Sequence, residues 1–414
     1  MKQNIFELTK EQLKAIANNL QEKIEAGLEK DGAEIKCLPT FIFPKEKVDD
    51  GRVLALDWGG TKFRAAIVEF AKGKEPVILQ MAYQDLSARE TAGFTQAELL
   101  EAMTAIIARL EGLEGITRIG YCFSYAIEAL PDGDAKHLQW AKGIDIPEMI
   151  GTSVGKTLME YLNAHPAIPA RFTDVKVVND TVACLFAGRS GVEKKANIGL
   201  IVGTGTNMAG LMPVGKISKL RNGGAGFIPV NRISRPDSED AGFIPINLES
   251  GDFNPPFLTD CDRLVDKMSN NTGSHRFEKA ISGGYLGELF KIVYDNYTFS
   301  DDFDGESLSR IINRPIDYPK EFVTIADWIF TRSAMLVGAS LAGLIQLMLK
   351  QDASNRMICI AVEGSVFWKS SDDYREKVVG LLQELLPADV VVTLVDEEKM
   401  KEANLIGAAI AAQS

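Results

Sequence analysis

The stretch from residue 53 to residue 68 constrains the fold of this chain more than any other. A mostly apolar run ends in two adjacent glycines, Gly59 and Gly60, and a second apolar run follows at once. Glycine has no Cβ atom, and paired glycines between two apolar runs are typical of a tight β-hairpin turn. The pattern therefore predicts a hairpin whose turn lets the backbone approach a ligand closely.

Polar side chains around this turn favour a phosphate ligand. Thr61, Lys62 and Arg64 follow the glycines, and Asp57 precedes them near the end of the incoming run. Exposed backbone N–H groups next to cations form a cradle for phosphate oxygens, and an acid at the strand end suits a Mg²⁺ ion that keeps its waters. An ordinary hairpin with charged edge residues stays open as the alternative, because Gly-Gly turns are common.

A second turn of the same kind follows the apolar run 198–203. Its residues are Gly203, Thr204, Gly205, Thr206 and Asn207. A glycine–threonine turn holds a terminal phosphate with N–H and hydroxyl groups together, although the same residues also form turns without a ligand. The 414 residues exceed what one hydrophobic core usually holds. Two glycine-turn hairpins in such a chain predict a duplicated α/β unit with a cleft between two lobes.

The composition narrows the range of partners. A net charge of −12 argues against nucleic acid or an anionic membrane as the main partner, so an anionic substrate needs a local cluster of cations.

The 5 cysteines form no C-x-x-C pair and the 3 histidines have no metal-ligand spacing, which predicts reduced thiols and no structural zinc site. The N-terminus lacks the apolar core of a signal peptide, and the uncharged run 333–349 is too short for a membrane span and predicts a buried helix. These features together predict a cytoplasmic protein.

Hydrophobic periodicity predicts regular elements along the rest of the chain. Thr9-Lys-Glu-Gln12 fits a capping box and is followed by apolar residues at helical spacing as far as Leu28. The small apolar segment 403–412 predicts a helix packed tightly against another surface. A Gly-Phe-Ile-Pro repeat at 226–231 and 242–247 predicts paired strands around a loop. The other predicted helices are 96–110, 151–162, 181–187, 282–295 and 374–386, and the other predicted strands are 77–83, 116–124, 175–178, 357–362 and 390–395.

Three acids are candidates for sugar or proton chemistry. Asp180 follows an apolar strand just before a helix, where α/β folds carry their reactive groups, although it could also be the N-cap of that helix. Glu249 and Glu278 are candidates because a carboxylate accepts two hydrogen bonds from vicinal hydroxyls, yet each is also consistent with a surface acid. The segment 151–157 is one residue too short for a P-loop and follows no strand, so we interpret it as the start of an exposed helix.

Several motifs, in one consistent order, resemble those of the eukaryotic-type hexokinases. The resemblance runs from the first predicted helix to the last. Leu56-Asp-Trp-Gly-Gly-Thr-Lys-Phe-Arg64 is similar to that family's first phosphate motif, and Gly199 to Asn207 is similar to its second. The further matches are Leu38-Pro-Thr-Phe41, Phe123-Ser124 with Trp140-Ala-Lys-Gly143 (sugar segment), Val178-Asn-Asp-Thr-Val182 (catalytic motif), Ile246-Asn-Leu-Glu249, Phe277 to Glu288, and Val362-Glu-Gly-Ser365 (adenosine motif).

This resemblance implies a duplicated ribonuclease-H-like (actin-like ATPase) α/β fold and an ATP-dependent kinase that acts on the 6-hydroxyl of a hexose, with Asp180 as general base. The implied hexose-binding residues are Ser124, Lys142, Asn179, Asp180, Asn207, Glu249, His275 and Glu278. The implied nucleotide-binding residues are Asp57, Gly59, Gly60, Thr61, Lys62, Arg64, Gly203, Thr204, Gly205, Thr206, Gly364 and Ser365. No residue would ligate the metal directly, because Mg²⁺ would be held through ATP and water near Asp57. The implied lobes are residues 51–180 with 402–414, and residues 1–50 with 181–401.

The sequence departs from the family pattern at five positions. Lys62 stands where the family has Asn, Ala126 where it has Pro, Ala141 where it has Thr, Ser250 where it has Trp, and His275 where it has Gln. A hydrogen-bonding group left unpaired costs ~1–3 kcal/mol, so these changes leave the identity of the hexose open.

We expect glucose first and mannose next, with MgATP as the second substrate and a monomer or homodimer as the active form. A kinase for fructose or an N-acetylhexosamine is one alternative. A non-catalytic glucose sensor is another, but the retention of Asp180 and of both phosphate turns favours an enzyme.

Overall fold

A computed structural model of the protein describes residues 4–43, 49–59, 61–190, 196–220, 242–294, 297–300 and 302–414. Gly60 and the first copy of the Gly-Phe-Ile-Pro repeat lie outside these ranges, and the statements below concern the described residues.

Thirteen strands form three sheets in this part of the chain. The strands are β1 (Leu38–Pro39), β2 (Gly51–Trp58), β3 (Lys62–Phe70), β4 (Val77–Asp85), β5 (Arg118–Phe123), β6 (Ala126–Ala129), β7 (Ala135–Gln139), β8 (Asp174–Val178), β9 (Ile198–Val202), β10 (Thr206–Pro213), β11 (Phe243–Asn247), β12 (Met357–Glu363) and β13 (Val391–Leu394).

The helices are named in chain order in the same way. They are α1 (Lys10–Glu29), α2 (Gln96–Ile107), α3 (Val154–Ala164), α4 (Asp180–Ala187), α5 (Asp260–Met268), α6 (Arg276–Ile281), α7 (Gly283–Val293), α8 (Gly305–Asn313), α9 (Lys320–Gln351), α10 (Ser365–Lys369), α11 (Tyr374–Leu385), α12 (Glu397–Met400) and α13 (Ala403–Ala412).

Two of the sheets repeat one strand order, as the paired glycine turns predicted. The first sheet has the order β4-β3-β2-β5-β8, and the second has the order β1-β11-β10-β9-β12-β13. In each, the opening hairpin is antiparallel and two parallel strands follow on its other side. The two-residue strand β1 adds an extra edge to the second sheet. The predicted duplicated α/β unit is therefore confirmed.

Helices cover both faces of the first sheet at its centre, which explains why β2 and β3 are mostly apolar while the edge strand β4 is largely exposed. The last six residues of β2 are buried, because α2 packs on one face and α13 on the other. The approach of α13 is close: a Cβ on Gly407 would collide with the Ala183 carbonyl of α4. The prediction of a tightly packed closing helix is confirmed. The proposed division into lobes stays a prediction, since α13 contacts both the first sheet and α4.

The long helix α9 contains the predicted buried run 333–349 and extends it at both ends. By length and composition this one helix could cross a membrane, yet 78% of its most apolar window is buried inside the protein. It contacts α1 and α11. Helix α1 begins with the predicted capping box, in which the Thr9 hydroxyl and the Gln12 side chain each bond the other residue's backbone.

The structure corrects the prediction for residues 151–157. Helix α3 begins at Val154 and is amphipathic rather than exposed, because Val154, Leu158 and Leu162 are buried. Its N-terminal N–H groups are taken by a carboxylate: Asp134 accepts hydrogen bonds of 2.8 and 2.9 Å from Gly155 and Lys156. This helix end is therefore already occupied by an anion of the chain itself.

Several short elements were not predicted, namely strand β1, the hairpin β6–β7 and the helices α5, α6, α8, α10 and α12. Strands β6 and β7 form a separate hairpin between the sugar-segment residues Ser124 and Lys142. In the second copy of the repeat, residues 243–247 form β11, whose partners in the described part of the chain are β1 and β10.

Candidate active site

The first glycine turn joins β2 to β3, and its flanking charges form a network. Asp57 and Arg64 are register partners at the turn end of the hairpin. Arg64 donates to Asp57 Oδ2 at 2.7 Å, and its Nη1 donates to Glu402 Oε2, also at 2.7 Å. Glu402 precedes α13, so this guanidinium joins the turn to the C-terminal helix.

Asp57 keeps one oxygen for a further ligand. Its side chain is buried, and Oδ1 has no hydrogen-bond partner among the described residues. Burial raises the pKa of Asp57, and the Arg64 guanidinium opposes this rise. A buried carboxylate oxygen without a partner fits a hydrated Mg²⁺ ion, which keeps several waters when it binds.

A cavity of about 480 Å³ opens beside the first turn. Met81 and Tyr83 of β4 form its apolar wall. The Lys62 ammonium lies 5.3 Å from the centroid of the Tyr83 ring. The predicted residues that line the cavity are Asp57, Gly59, Thr61, Lys62 and Arg64. Five of the predicted nucleotide-binding residues therefore share one surface.

The predicted sugar segment is bonded directly to this turn. Lys142 Nζ donates to the Gly59 carbonyl at 2.6 Å and to the Ser124 carbonyl at 3.2 Å. The Ser124 N–H in turn donates to the Trp58 carbonyl at 3.1 Å. Trp58 and Trp140 form an aromatic contact beneath these bonds, with ring centroids 5.6 Å apart. The sugar segment and the first turn therefore form one packed unit.

The second glycine turn joins β9 to β10 and is supported by α6 and α7. Thr206 N–H donates to Glu278 Oε2 at 2.9 Å, and a Cβ on Gly205 would lie 2.7 Å from that same oxygen. The Gly203 and Thr204 carbonyls accept hydrogen bonds from the first N–H groups of α7. Gly364, with φ of 117°, packs against Gly203, and Ser365 follows it at the surface. The structure thus brings all the predicted residues of this turn together.

Side-chain amides connect the remaining sugar candidates on the second sheet. Asn207 Nδ2 donates to Asn247 Oδ1 at 2.8 Å, and Asn247 Nδ2 donates to Glu249 Oε1 at 2.6 Å. Asn207 Oδ1 accepts from the Ser250 N–H at 3.0 Å. Ser250 is buried here, at the position where the family has Trp. These hydrogen bonds hold the side chains of Asn207 and Glu249 in fixed orientations.

His275 is tied to an acid rather than left open. Its Nδ1 lies 3.0 Å from Asp252 Oδ1, while Lys36 Nζ lies 2.9 Å from Asp252 Oδ2. Asp252 therefore has a nitrogen partner on each carboxylate oxygen, the His275 imidazole on one and the Lys36 ammonium on the other. The predicted contact between His275 and the hexose stays a prediction.

Left-handed backbone conformations concentrate at the sugar candidates. Among the described residues, five residues other than glycine have positive φ, and three of them are Lys142, Glu249 and His275. This conformation costs an L-residue roughly 1–2 kcal/mol. Such strain persists where the surrounding structure holds the residue in place, which is often at functional sites.

Asp180 is the first residue of α4 and not its cap. The N-cap is Asn179, whose Oδ1 accepts from the Val182 N–H at 2.9 Å, so the N-cap alternative for Asp180 is wrong. Asp180 Oδ1 accepts from the Thr181 N–H at 2.8 Å. Its side chain is half-buried at the end of β8, next to the parallel strand β5 that ends at the sugar segment.

The electrostatics show that Asp180 lies close to both groups of predicted residues. Its carboxylate adds to burial in raising the pKa of Asp57, of Glu249 and of Glu363. A like charge shifts a pKa in this way only at short range. Glu249 and Glu278 are half-buried and burial raises the pKa of both, so neither is a fully solvated surface acid.

The sequence analysis missed three polar residues that belong to this arrangement. Glu363 ends β12, and burial together with the Asp180 and Asp57 carboxylates raises its pKa to about 8. Its Oε2 is buried without a hydrogen-bond partner among the described residues. The others are Asn247 and Glu402. Glu363 and Asn247 lie inside quoted motifs and could have been found there, whereas Glu402 meets Arg64 only through the tertiary fold.

The repeated sheets, each opening with a glycine-turn hairpin, define the duplicated ribonuclease-H-like class of α/β proteins, the class of the actin-like ATPases. Two family models described as hexokinase match this chain, one at residues 2–190 and the other at residues 197–323 and 318–414. The chain therefore belongs to the hexokinase family.

Individual relatives agree with this assignment. The chain is 27% identical to Hexokinase-1 of Spinacia oleracea over 97% of its own length and 87% of the relative's. It is 26% identical to Hexokinase-3 of Homo sapiens over 98% of its length, but it spans only 46% of that protein. The solved hexokinase of Schistosoma mansoni complexed with glucose superposes with a TM-score of 0.78 at 23% identity, covering 99% of this chain and 96% of that one. This likeness confirms the predicted fold.

Proposed function

We propose that the protein is an ATP-dependent hexokinase that transfers the γ-phosphoryl group of MgATP to the 6-hydroxyl of D-glucose, and also of D-mannose. The products are ADP and the hexose 6-phosphate. The observation that carries the proposal is the position of Asp180 at the start of α4, electrostatically close to Glu249 on the predicted sugar side and to Asp57 on the predicted phosphate side. The glucose complex of the Schistosoma mansoni hexokinase supports the choice of hexose.

In the proposed reaction the Asp180 carboxylate accepts the proton of the 6-hydroxyl while that oxygen attacks the γ-phosphorus. The P–O bond to the β-phosphate breaks and ADP leaves with the bond electrons. A base at this position contributes typically 10²–10⁴-fold to rate. The hydrogen bond from the Thr181 N–H to Oδ1 holds the carboxylate in one orientation and leaves Oδ2 for the hydroxyl.

The phosphates would lie between the two glycine turns. Arg64 and Lys62 supply positive charge on one side, and the Gly203–Thr206 turn supplies N–H and hydroxyl groups on the other. Bound Mg²⁺ would neutralise charge on the phosphate oxygens. Asp57, through its unpartnered Oδ1, is the residue that would hold the water shell of this ion.

The identity of the hexose depends on residues that differ from the family pattern. His275 is engaged by Asp252, and the buried Ser250 is smaller than the side chain that the family has at this position. A kinase for fructose or an N-acetylhexosamine therefore remains the second candidate. The proposal includes a cytoplasmic location, supported by the free thiols of Cys37, Cys122, Cys184 and Cys261, and a monomer or homodimer as the active form.

A panel assay tests this function. The full chain is given MgATP with glucose, mannose, fructose or N-acetylglucosamine, and ADP release is coupled to a spectrophotometric readout. We expect the highest kcat/KM with glucose, mannose second, and a product phosphorylated at C6 by phosphorus NMR. Turnover of fructose or the N-acetyl sugar above glucose would overturn the substrate choice. Glucose binding without any ADP release would overturn the kinase and favour the sensor.

A further inference from the structure

The outer edge of β4 has no strand partner in the part of the chain that the structure describes, because β4 is the last strand of the first sheet on that side. The strand is 9 residues long, and none of its residues before Asp85 is charged. In an antiparallel strand, alternate residues direct their N–H and C=O groups away from the neighbouring strand. β4 therefore presents backbone donors and acceptors along its outer side.

Large apolar side chains along this strand are exposed. They occupy alternate positions and are Val77, Leu79, Met81 and Tyr83. The register with β3 is regular from Gln80 onward, and Leu79 is the extra residue of a bulge before it. A bulge discourages pairing where it occurs, so it confines the edge that can pair to the residues around Met81. An apolar row beside a free backbone edge is a surface on which another strand binds.

The other edges of the two large sheets are protected in ways that β4 is not. β1 and β13 have only 2 and 4 residues. β8 carries two charged side chains, Asp174 and Lys176, among its 5 residues. Short strands and charged side chains are the usual means by which proteins prevent edge-to-edge pairing. Among the edges of these two sheets that the structure describes, β4 combines the greatest length with an uncharged sequence.

We propose that β4 pairs antiparallel with β4 of a second copy of this chain, so that two five-stranded sheets become one continuous sheet. The strand is complementary to itself in this orientation. Pairing about Met81 places Leu79 of each copy opposite Tyr83 of the other, which covers apolar side chains with apolar side chains.

The charges at the two ends of β4 favour the same orientation. Lys74 precedes the strand and Asp85 ends it, and both side chains are exposed. Antiparallel pairing brings the Lys74 end of each copy toward the Asp85 end of the other, whereas parallel pairing would bring like charges together. The net charge of −12 opposes association elsewhere on the surface, which makes this uncharged strand the favoured contact. The inference does not depend on the proposed function.

The expected dimer is weak and dissociates on dilution. The pairing strand supplies far fewer residues than the ~20–30 residues a side of a standard interface. Sedimentation velocity of the full chain from about 1 µM to about 200 µM covers the range in which weak dimers dissociate. We expect the average mass to rise with concentration from that of one chain toward that of two.

Two substitutions of Met81 form the decisive test, because Met81 is the midpoint of β4 and faces its own copy in the proposed pairing. Met81→Lys and Met81→Glu each place like charges opposite each other, so each protein by itself should dimerise roughly tenfold more weakly than the wild type. An equimolar mixture of the two should associate more strongly than either, since a lysine then faces a glutamate. Met357→Lys makes the same change at an exposed methionine of β12 and should dimerise as the wild type does.

Amide hydrogen exchange locates the interface. If β4 pairs, the backbone N–H groups of residues 77–85 exchange more slowly at high protein concentration than at low concentration in the wild type, and not in Met81→Lys. Residues 391–394 of the edge strand β13 are the internal control and should exchange at the same rate at both concentrations. Melting temperatures of all variants are compared, and recovery in the mixture separates loss of pairing from loss of folding.

Three results would overturn the inference. The first is a wild-type chain that sediments as a single chain over the whole concentration series, even if an extended peptide of another protein binds to β4. The second is a dimer that persists in Met81→Lys with unchanged exchange at residues 77–85, which would place the interface elsewhere. The third is a mixture of Met81→Lys and Met81→Glu that associates no more strongly than either protein by itself, which would rule out antiparallel pairing about Met81.

Discussion

The two glycine turns have the same place in two sheets of the same strand order, yet their chemistry is opposite. The β2–β3 turn carries two cations, Lys62 and Arg64, and is held by the ammonium of Lys142. The β9–β10 turn carries no charged residue and is held by the carboxylate of Glu278. Duplication has therefore kept the backbone arrangement, while the anchoring side chains differ in sign and only the first turn carries charged residues.

This difference suggests that the two turns contribute to phosphate binding in different ways. A cationic turn attracts phosphate through charge, which acts over several ångströms and is screened by salt. A neutral turn of N–H and hydroxyl groups acts through hydrogen-bond geometry, which is short-ranged and orients the ligand. Substitutions in the cationic β2–β3 turn should therefore change the salt dependence of nucleotide binding. Substitutions in the neutral β9–β10 turn should change how the phosphate is positioned. Asp180 interacts electrostatically with Asp57 in the first half and with Glu249 and Glu363 in the second, so it is shared by both halves.

The largest effect is expected at this shared residue. Asp180→Ala should lower kcat by about 10²–10⁴-fold while hexose affinity changes little, because a base acts on the bond-making step. Steady-state kinetics and glucose titration calorimetry measure the two quantities. Asp174→Asn at the opposite end of β8 is the matched control and should leave both unchanged. Near-normal turnover in Asp180→Ala would remove Asp180 from the role of base.

The next effect concerns the cationic turn alone. Arg64→Met leaves the buried Asp57 carboxylate and Glu402 without their shared cation, so we expect the free energy of unfolding to fall by about 3 kcal/mol. Arg52→Met breaks an exposed pair with Glu69 at the far end of the same hairpin and should cost less than ~1 kcal/mol. Urea unfolding of both variants at neutral pH measures the difference. Equal losses would mean that the Arg64 network stabilises no more than a surface pair.

A third effect depends on pH. The pKa of Glu363 is about 8 in the folded protein against an ordinary 4.5. Between these values the folded state keeps a proton that the unfolded state has released, so the wild type loses stability as pH rises through this window. Glu363→Gln removes that loss. The stability of the variant relative to wild type should therefore rise by roughly 1.4 kcal/mol per pH unit across the window.

Urea unfolding between about pH 5 and about pH 9 checks this slope. Glu376→Gln, an exposed acid on α11, is the matched control and should show a flat difference. A flat difference for Glu363→Gln as well would mean that its carboxyl is solvated and ionised at neutral pH. In that case the Asp180 and Asp57 carboxylates would act on Glu363 less strongly than its raised pKa implies.

The apolar runs and turn residues of the sequence predicted the main strands and the long helices of both halves. Strands buried on both faces need continuous apolar runs, and the runs that end in glycine turns identified both opening hairpins. The capping box at Thr9 and Gln12 located the start of α1 correctly. The hairpin β6–β7 was missed because its strands are short and half-exposed, so they lack a clear alternating pattern.

Contacts between distant segments were not predictable in the same way. The bond from Lys142 to Gly59 joins residues 83 positions apart, and that from Arg64 to Glu402 joins residues 338 positions apart. No local pattern encodes such pairs. The raised pKa of Glu363 likewise arises from burial next to Asp180 and Asp57, which the tertiary fold alone brings about.

The smallest effect tests the charge that distinguishes the first turn from the family pattern. Lys62 is exposed and lies over Tyr83, so its contribution to phosphate attraction is partly screened by water. Lys62→Met should raise the KM for ATP by about three- to tenfold at low ionic strength and the KM for hexose by less. Lys72→Met, in the connection between β3 and β4, carries the same charge change at the opposite end of β3 and should alter neither constant. At high salt the Lys62→Met substitution should change the KM for ATP less, because salt already screens the attraction between Lys62 and phosphate in the wild type. An ATP dependence unchanged at low salt would instead make Lys62 a structural neighbour of Tyr83, and both turns would then bind phosphate chiefly through their backbones.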